Sequence, residues 1–243
     1  MIKYFHKYAN PVRFLKISKP IKKFSGLLSF FAILIGLIFA LFISPPDYQQ
    51  KETVRIMYIH VPCAWMSLIT YSFIFFNSLF FLIWRFPLFL ILAKESIILG
   101  IIFTFSTLFS GSLWGKPTWG TYWVWDARLT SFLILFFIFL GLKLIKDAYS
   151  SSNKGDGIFS YLAVIGGINL PIIKFSVDWW NTFHQPASIL RTGGISISNE
   201  MLLPLFIMAI GFLFLFVYTL LLSTEIKIKE NKLIYSSNNE SEY

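Results

Sequence analysis

The chain has 243 residues, of which 56% are hydrophobic and only 14% are charged, and its formal net charge is +9. Soluble domains carry about 25% charged residues, so this composition indicates a membrane protein. The single cysteine, Cys63, excludes an intrachain disulfide, a CxxC redox pair and a cysteine-rich metal site. The basic excess is typical of loops that orient a membrane protein, and we expect no nucleic-acid partner.

Six apolar stretches are each candidates to cross a bilayer, whose hydrocarbon core needs about 20 apolar residues. We therefore predict an all-α, polytopic protein with six transmembrane helices. The predicted spans are Phe24–Ser44, Pro62–Trp84, Leu88–Leu113, Leu129–Leu142, Ile158–Val177 and Met201–Leu222. This division gives a basic N-terminal segment (1–23), a membrane domain (24–222) and a polar tail (223–243), which we expect to be disordered after Glu225.

The basic residues predict the orientation of these spans. If the N-terminus is inside, fifteen Lys and Arg residues fall in inside segments and six in outside segments. Because inside loops are enriched in Lys and Arg, both termini and the 143–157 loop are predicted to face the cytoplasm or the mitochondrial matrix. Lys94 and Glu95 lie in the first turns of the third span, where we expect them to pair or to reach the interface.

The connector between the third and fourth spans, WGKPTWGTYWVWD at 114–126, holds four tryptophans and is predicted to lie outside. Scattered aromatic rings at an interface commonly form a belt. Two glycines and an aspartate in the same stretch favour a defined binding surface instead. If 119–126 is helical, one face carries four of its residues, Trp119, Tyr122, Trp123 and Asp126. We interpret this face as a flat aromatic shelf.

Two of the three histidines, His60 and His184, are predicted to lie on the same side as this connector, whereas His6 is in the inner segment. A lone histidine at a helix end is most often an ordinary interfacial residue. Two imidazoles, however, suffice for the axial positions of haem, whereas a zinc site normally needs more protein ligands. A porphyrin also stacks on tryptophan, and Arg55 and Arg128 lie beside these motifs as candidate contacts for its anionic propionates.

Three blocks carry a family resemblance: VRIMYIHVPCAWMS at 54–67, WGKPTWGTYWVWDARLTS at 114–131 and IIKFSVDWWNTFHQPASI at 172–189. Together they closely resemble the haem exporter protein C family of the cytochrome c maturation system. The resemblance implies six membrane helices and haem held at the outer surface by two axial ligands, His60 and His184. It also implies a tryptophan platform made of Trp114, Trp119, Trp123, Trp125 and Asp126.

The resemblance further implies a function without catalysis. Haem b would bind transiently and pass to a small membrane-anchored haem chaperone, so we expect no enzyme activity. A small helper membrane subunit and an ATP-binding cassette complex would accompany the chain and supply energy, since its sequence has no P-loop. Phe132, where many bacterial members carry an acidic residue, and a composition rich in Phe, Ile, Lys and Asn favour the mitochondrial inner membrane, with a bacterial inner membrane as the alternative.

Two other functions stay open at this stage. A permease or pore subunit would need polar residues inside the spans, for which Lys94, Glu95 and Asn77 are the candidates. A covalent haem lyase would have to recognise apocytochrome cysteines and usually has a larger outer domain than the connectors predicted here.

Overall fold

The computed structural model describes residues 11–149, 153–185, 188–189 and 194–240, and its regular structure is helical apart from one isolated bridge between Asp47 and Lys51. A π-helical turn, Phe39–Ile43, extends the first helix, and a 3-10 helix, Glu52–Ile56, leads into the second. The α-helices are α1 (Pro11–Ile38), α2 (Met57–Trp84), α3 (Pro87–Glu95), α4 (Ile97–Trp119), α5 (Ala127–Ala148), α6 (Asn153–Gly166), α7 (Asn169–Trp179) and α8 (Asn199–Glu240). The prediction of an all-α fold is confirmed.

Six helical segments are long and apolar enough to cross a membrane, as predicted. They are Arg13–Ile43, Glu52–Trp84, Pro87–Trp119, Ala127–Ala148, Lys154–Trp179 and Asn199–Ile234. All six are longer than the apolar stretches that predicted them, because polar and charged residues continue the helices at their ends. α8 continues to Glu240, so the expectation of a disordered tail after Glu225 is wrong for the described part of the tail.

Two of the six spans are interrupted. Ser96 separates α3 from α4, and its hydroxyl donates to the carbonyl of Leu92 at 2.8 Å. In the fifth span α6 ends at Gly166, where a Cβ atom would lie 2.2 Å from the hydroxyl oxygen of Tyr71. The Tyr71 hydroxyl donates to the carbonyl of Ala163 at 3.1 Å. The missing side chain at Gly166 therefore permits α6 to pack closely against α2.

α2 lies at the centre of the bundle and contacts α3, α4, α6 and α8. α5 packs against α4, α6 and α7, and α1 packs along α8. The largest buried cluster includes Tyr71 and Ile74 of α2, Leu135 and Phe139 of α5, and Phe159 of α6. The outward surfaces of the helices carry many exposed Phe, Ile and Leu side chains, as expected for surfaces that face lipid.

The two ends of the bundle differ in chemistry. The connectors after α1, α4 and α7 lie at one end, which we call the aromatic end. The connectors after α2 and α5 lie at the other, which we call the basic end. Lys94 pairs there with Asp156 at 2.5 Å, and Lys146 pairs with Glu95 at 2.9 Å. Of the two outcomes expected for Lys94 and Glu95, pairing is the one observed, with partners on other helices and not with each other. The placement of the aromatic end outside the membrane stays a prediction.

Candidate functional site

The aromatic connector does not form one helical face. α4 ends at Trp119, and the N–H of Gly120 donates to the carbonyl of Lys116 at 3.0 Å. Gly120 has a φ of 80°, a left-handed conformation that glycine adopts at little cost and that ends helices. Residues 120–126 are not helical. The helical shelf is therefore a wrong prediction for Trp119, Tyr122, Trp123 and Asp126.

Asp126 begins the next helix. One of its carboxylate oxygens accepts a hydrogen bond from the N–H of Leu129 at 2.8 Å, which makes Asp126 the N-cap of α5. Its other oxygen, Oδ2, is buried, and so is the indole Nε1 of Trp123. Neither atom has a hydrogen-bond partner in the described ranges. An unsatisfied buried polar atom costs about 1–3 kcal/mol, so this acceptor and this donor favour a polar ligand here.

The tryptophans fall into two groups. Trp114 lies on α4 and packs edge to face against His60, with 5.6 Å between ring centroids, while its indole N–H donates to the side chain of Gln50 at 2.8 Å. Trp123 and Trp125 lie in the non-helical part of the connector, edge to face at 5.5 Å, and Trp125 is 77% exposed. The connector therefore presents apolar rings at its surface and one ring next to a histidine.

His60 lies in the first turn of α2, close to the start of the helix as predicted. Its Nδ1 is 3.1 Å from the carbonyl oxygen of Thr107 and 3.1 Å from the hydroxyl oxygen of Ser110. The Ser110 hydroxyl donates to the carbonyl of Ser106 at 2.6 Å, so its oxygen is free to accept. Because a carbonyl can only accept, the proton of the neutral imidazole lies on Nδ1 and Nε2 keeps its lone pair.

A glycine of α4 completes the surroundings of His60. A Cβ atom at Gly111 would lie 2.8 Å from Cε1 of the imidazole, closer than side chains ordinarily approach. We call the four contacting residues of α4 the His60 clamp: Thr107, Ser110, Gly111 and Trp114. The sequence reasoning missed three of them. Their spacing, which places them on one face of a helix, was the available signal.

His184 lies in the connector between α7 and α8, and its Nδ1 is 2.8 Å from the carbonyl oxygen of Gln185. The same reasoning puts the proton on Nδ1 and leaves Nε2 with a lone pair. Burial and the positive charge of Arg128 lower the pKa of His184, although the Gln185 carbonyl and Asp126 act in the opposite direction. The imidazole is therefore neutral at pH 7 and able to ligate a metal.

The fold brings the two histidines into one region, close enough that a charge on His184 would be felt at His60. Among the described residues, no group of three or more His, Cys, Asp or Glu side chains forms a metal site made by protein ligands alone. A pair of neutral imidazoles suits a metal that brings its other ligands with it.

Both candidate arginines already have protein partners. Arg55 donates from Nε to the carboxylate of Glu52 at 2.6 Å and from Nη1 to the carbonyl of Ala40 at 2.5 Å. Arg128 donates from Nε to the hydroxyl of Ser176 at 3.0 Å, which ties α5 to α7. Arg128 is the arginine whose charge reaches His184.

The family model described as heme exporter protein C matches residues 4–238 of the sequence. The chain belongs to this family. A heme exporter protein C of Bradyrhizobium diazoefficiens is 48% identical over 209 residues, which cover 86% of this chain and 79% of that protein. A putative cytochrome c biosynthesis ccmC-like mitochondrial protein of Marchantia polymorpha is 47% identical over 185 residues, 76% of this chain and 78% of the relative. The Escherichia coli heme exporter protein C is 37% identical over 215 residues, 88% and 86% of the two chains.

Membership in the heme exporter protein C family confirms the resemblance seen in the three sequence blocks. It gives the chain a role in haem delivery for cytochrome c maturation, as a haem-handling component of its system. That system includes an ATP-binding cassette transporter complex and a haem chaperone. With six apolar helices and both bacterial and mitochondrial relatives, the chain is a multi-pass protein of an inner membrane.

Proposed function

We propose that this heme exporter C protein holds haem at the aromatic end between His60 and His184 and presents it to a membrane-anchored haem chaperone. The observation that carries the proposal is the shared arrangement of the two imidazoles. Each Nδ1 lies beside a main-chain carbonyl, at 3.1 Å in His60 and 2.8 Å in His184. Each Nε2 is thereby left with the lone pair that would ligate iron, and the hydrogen bond at Nδ1 would increase its basicity.

The tryptophans and Asp126 form the proposed platform, although not on one helix. We assign stacking on the porphyrin to the exposed rings of the connector, because a porphyrin that stacks on these rings would bury a large apolar area. The indole N–H of Trp123, which has no partner among the described residues, is a candidate donor for a propionate. The residues proposed for the platform are Trp114, Trp119, Trp123, Trp125 and Asp126.

Arg128 and Arg55 are the proposed propionate contacts. Arg128 is the better placed of the two, since its charge acts on both Asp126 and His184. Arg55 is paired with Glu52, so a propionate would have to share or replace that partner.

Binding by two neutral nitrogen ligands suits a cargo that is handed on. We propose that haem b is bound transiently and that the chaperone takes it at the aromatic end, which faces outward. A small helper subunit and the ATP-binding cassette complex are the further proposed partners. We place the boundaries of the membrane domain at 24–222, between the basic segment and the polar tail.

The polar residues within the spans offer little support for a permease. Lys94 and Glu95 belong to ion pairs at the basic end, and the side-chain amide of Asn77 donates to the carbonyl of Phe73 at 2.8 Å. A covalent haem lyase is also disfavoured, because the described connectors are short compared with a domain that binds a second protein.

The proposal is tested by purifying the full chain from haem-sufficient cells and recording its visible spectrum. His60→Ala and His184→Ala are each expected to change the haem spectrum, and added imidazole should restore it in part by filling the open axial position. His6→Ala, whose site lies outside the described residues, is the control and should leave the spectrum unchanged. If His60→Ala and His184→Ala both keep the wild-type spectrum, the ligand assignment is overturned, and Met57 would then be tested as a ligand.

The platform is tested separately from the ligands. Trp119→Ala and Trp123→Ala should lower haem occupancy or transfer to the chaperone, whereas Phe replacements, which keep an aromatic ring, should be milder. Insertion into the membrane serves as the control for folding. If both Ala variants bind and transfer haem at the wild-type level, the connector is an interfacial aromatic belt and not a platform.

A further inference from the structure

A groove of about 730 Å³ lies between α1 and α8 at the basic end of the bundle. Its charged lining consists of five lysines and one glutamate. These residues are Lys16, Lys19, Lys22, Lys23, Glu225 and Lys229. The groove lies at the opposite end from the histidines, so the haem proposal does not involve it.

The lysines of the groove are only partly neutralised. Lys22 and Lys229 both pair with Glu225. Within the described chain, Lys16, Lys19 and Lys23 form no ion pair with a carboxylate. Their spacing places them on one face of α1, where neighbouring like charges repel and destabilise a helix. An anion bound along this face would relieve the repulsion.

An apolar channel continues from the groove. This channel is a shallow, open surface depression of about 370 Å³ lined by Lys23, Gly26, Leu27 and Tyr218, so it shares Lys23 with the groove. A Cβ atom at Gly26 would lie 2.9 Å from the Tyr218 ring, which shows how closely α1 approaches α8. Leu27 is 54% exposed beside this contact. The surface thus changes from cationic to apolar along one pair of helices.

We propose that this surface binds an anionic phospholipid. Its phosphate contacts Lys16, Lys19 and Lys23, and one acyl chain lies along Leu27 and the Tyr218 ring. Basic pockets between transmembrane helices on the inner side suit anionic headgroups. The apolar part of α1 begins at Phe24, directly after Lys23, so the lysines lie at the depth of the headgroups. Free phosphate would match the lysines but leave the apolar channel unused.

The bound lipid would act as a link between α1 and α8. α1 packs mainly along α8, and Gly36 and Gly211 permit close contact with Met208 and Ile33 further along the pair. A phospholipid at the basic end would add contacts at the end of the pair where the lysines repel. We therefore expect lipid binding to raise the melting temperature of the protein.

The test uses the full-length chain, purified in detergent and depleted of lipid, with its thermal unfolding followed during lipid titration. Dioleoyl phosphatidylglycerol should raise the Tm at concentrations at least tenfold lower than dioleoyl phosphatidylcholine. Replacing Lys16, Lys19 and Lys23 together with Gln should abolish this preference. The matched control, Gln at Lys143, Lys227 and Lys232, removes equal charge outside the groove and should keep it.

Two further measurements distinguish a bound phospholipid from free phosphate and from a protein partner as the cause of the rise in Tm. Leu27→Trp keeps every charge but fills the channel, so it should weaken phosphatidylglycerol binding and leave any effect of inorganic phosphate unchanged. Native mass spectrometry of the folded species counts lipid adducts, so a variant of low stability still gives an answer. The proposal fails if inorganic phosphate alone reproduces the shift, or if the two lipids act equally. It also fails if the lysine variant keeps its lipid adducts but loses partner subunits, which would identify a protein contact.

Discussion

Gly111→Ala is expected to displace His60 from its hydrogen bonds. The added methyl group would lie 2.8 Å from Cε1 of the imidazole, whereas ordinary contacts begin at 3.4 Å. The ring must therefore move by several tenths of an ångström, although its Nδ1 is only 3.1 Å from each of its two acceptors, on Thr107 and Ser110. A hydrogen bond of this kind contributes about 1 kcal/mol. Its loss corresponds to haem binding weaker by about fivefold.

The assay is titration of haem-free protein with haem, followed by the visible absorption of the complex. Gly141→Ala is the matched control. Gly141 lies in α5, where an added Cβ meets no atom within 4 Å. The substitution therefore gives the same gain in helix propensity as Gly111→Ala but without a clash. Gly141→Ala should bind haem as the wild type does. Wild-type affinity in Gly111→Ala, together with loss of binding in His60→Ala, would refute the argument that the α4 surface positions the ring.

Further predictions concern orientation, the connector and pH. Cysteine labels at Thr118 and Asn153 should react from opposite sides of the membrane, and labelling from one side would exclude six spans. Asp126→Ala should lower the free energy of unfolding by about 1 kcal/mol through loss of the helix cap, measured by thermal unfolding, whereas Asp126→Asn should keep most of it. Since burial and Arg128 lower the pKa of His184, ligation should persist below pH 6.5. Arg128→Gln should raise that pKa and move the acid loss of haem to higher pH; an unchanged midpoint in a pH titration would contradict this.

The sequence was sufficient for features that depend on composition and order. Apolar runs gave the six spans, and the alternation of spans put His60 and His184 at the same end as the tryptophans. The prediction of a helical shelf was wrong for a local reason. Residues spaced three and four apart share a face only in a continuous helix, and the left-handed Gly120 ends the helix within this stretch. The hydrogen-bond partners of His60 were missed for a different reason. The spacing of Thr107, Ser110 and Gly111 places them on one face of α4, but which face of α4 meets α2 depends on tertiary packing, so their contact with His60 could not be predicted.

The two histidines proposed as haem ligands differ in what would have to move for each of them to release the iron. His60 is on a helix, and its ring is confined by main-chain and side-chain atoms of α4. His184 is on a non-helical connector, and its Nδ1 is held by the carbonyl of the adjacent residue, Gln185, which can rotate together with it. Release of a ligand by His184 would therefore need only a local change of backbone angles, whereas release by His60 would need its ring to move against α4. If both histidines hold haem as we propose, His184 would leave first, and the ligand supplied by the chaperone would approach from the side of its connector while His60 remained bound.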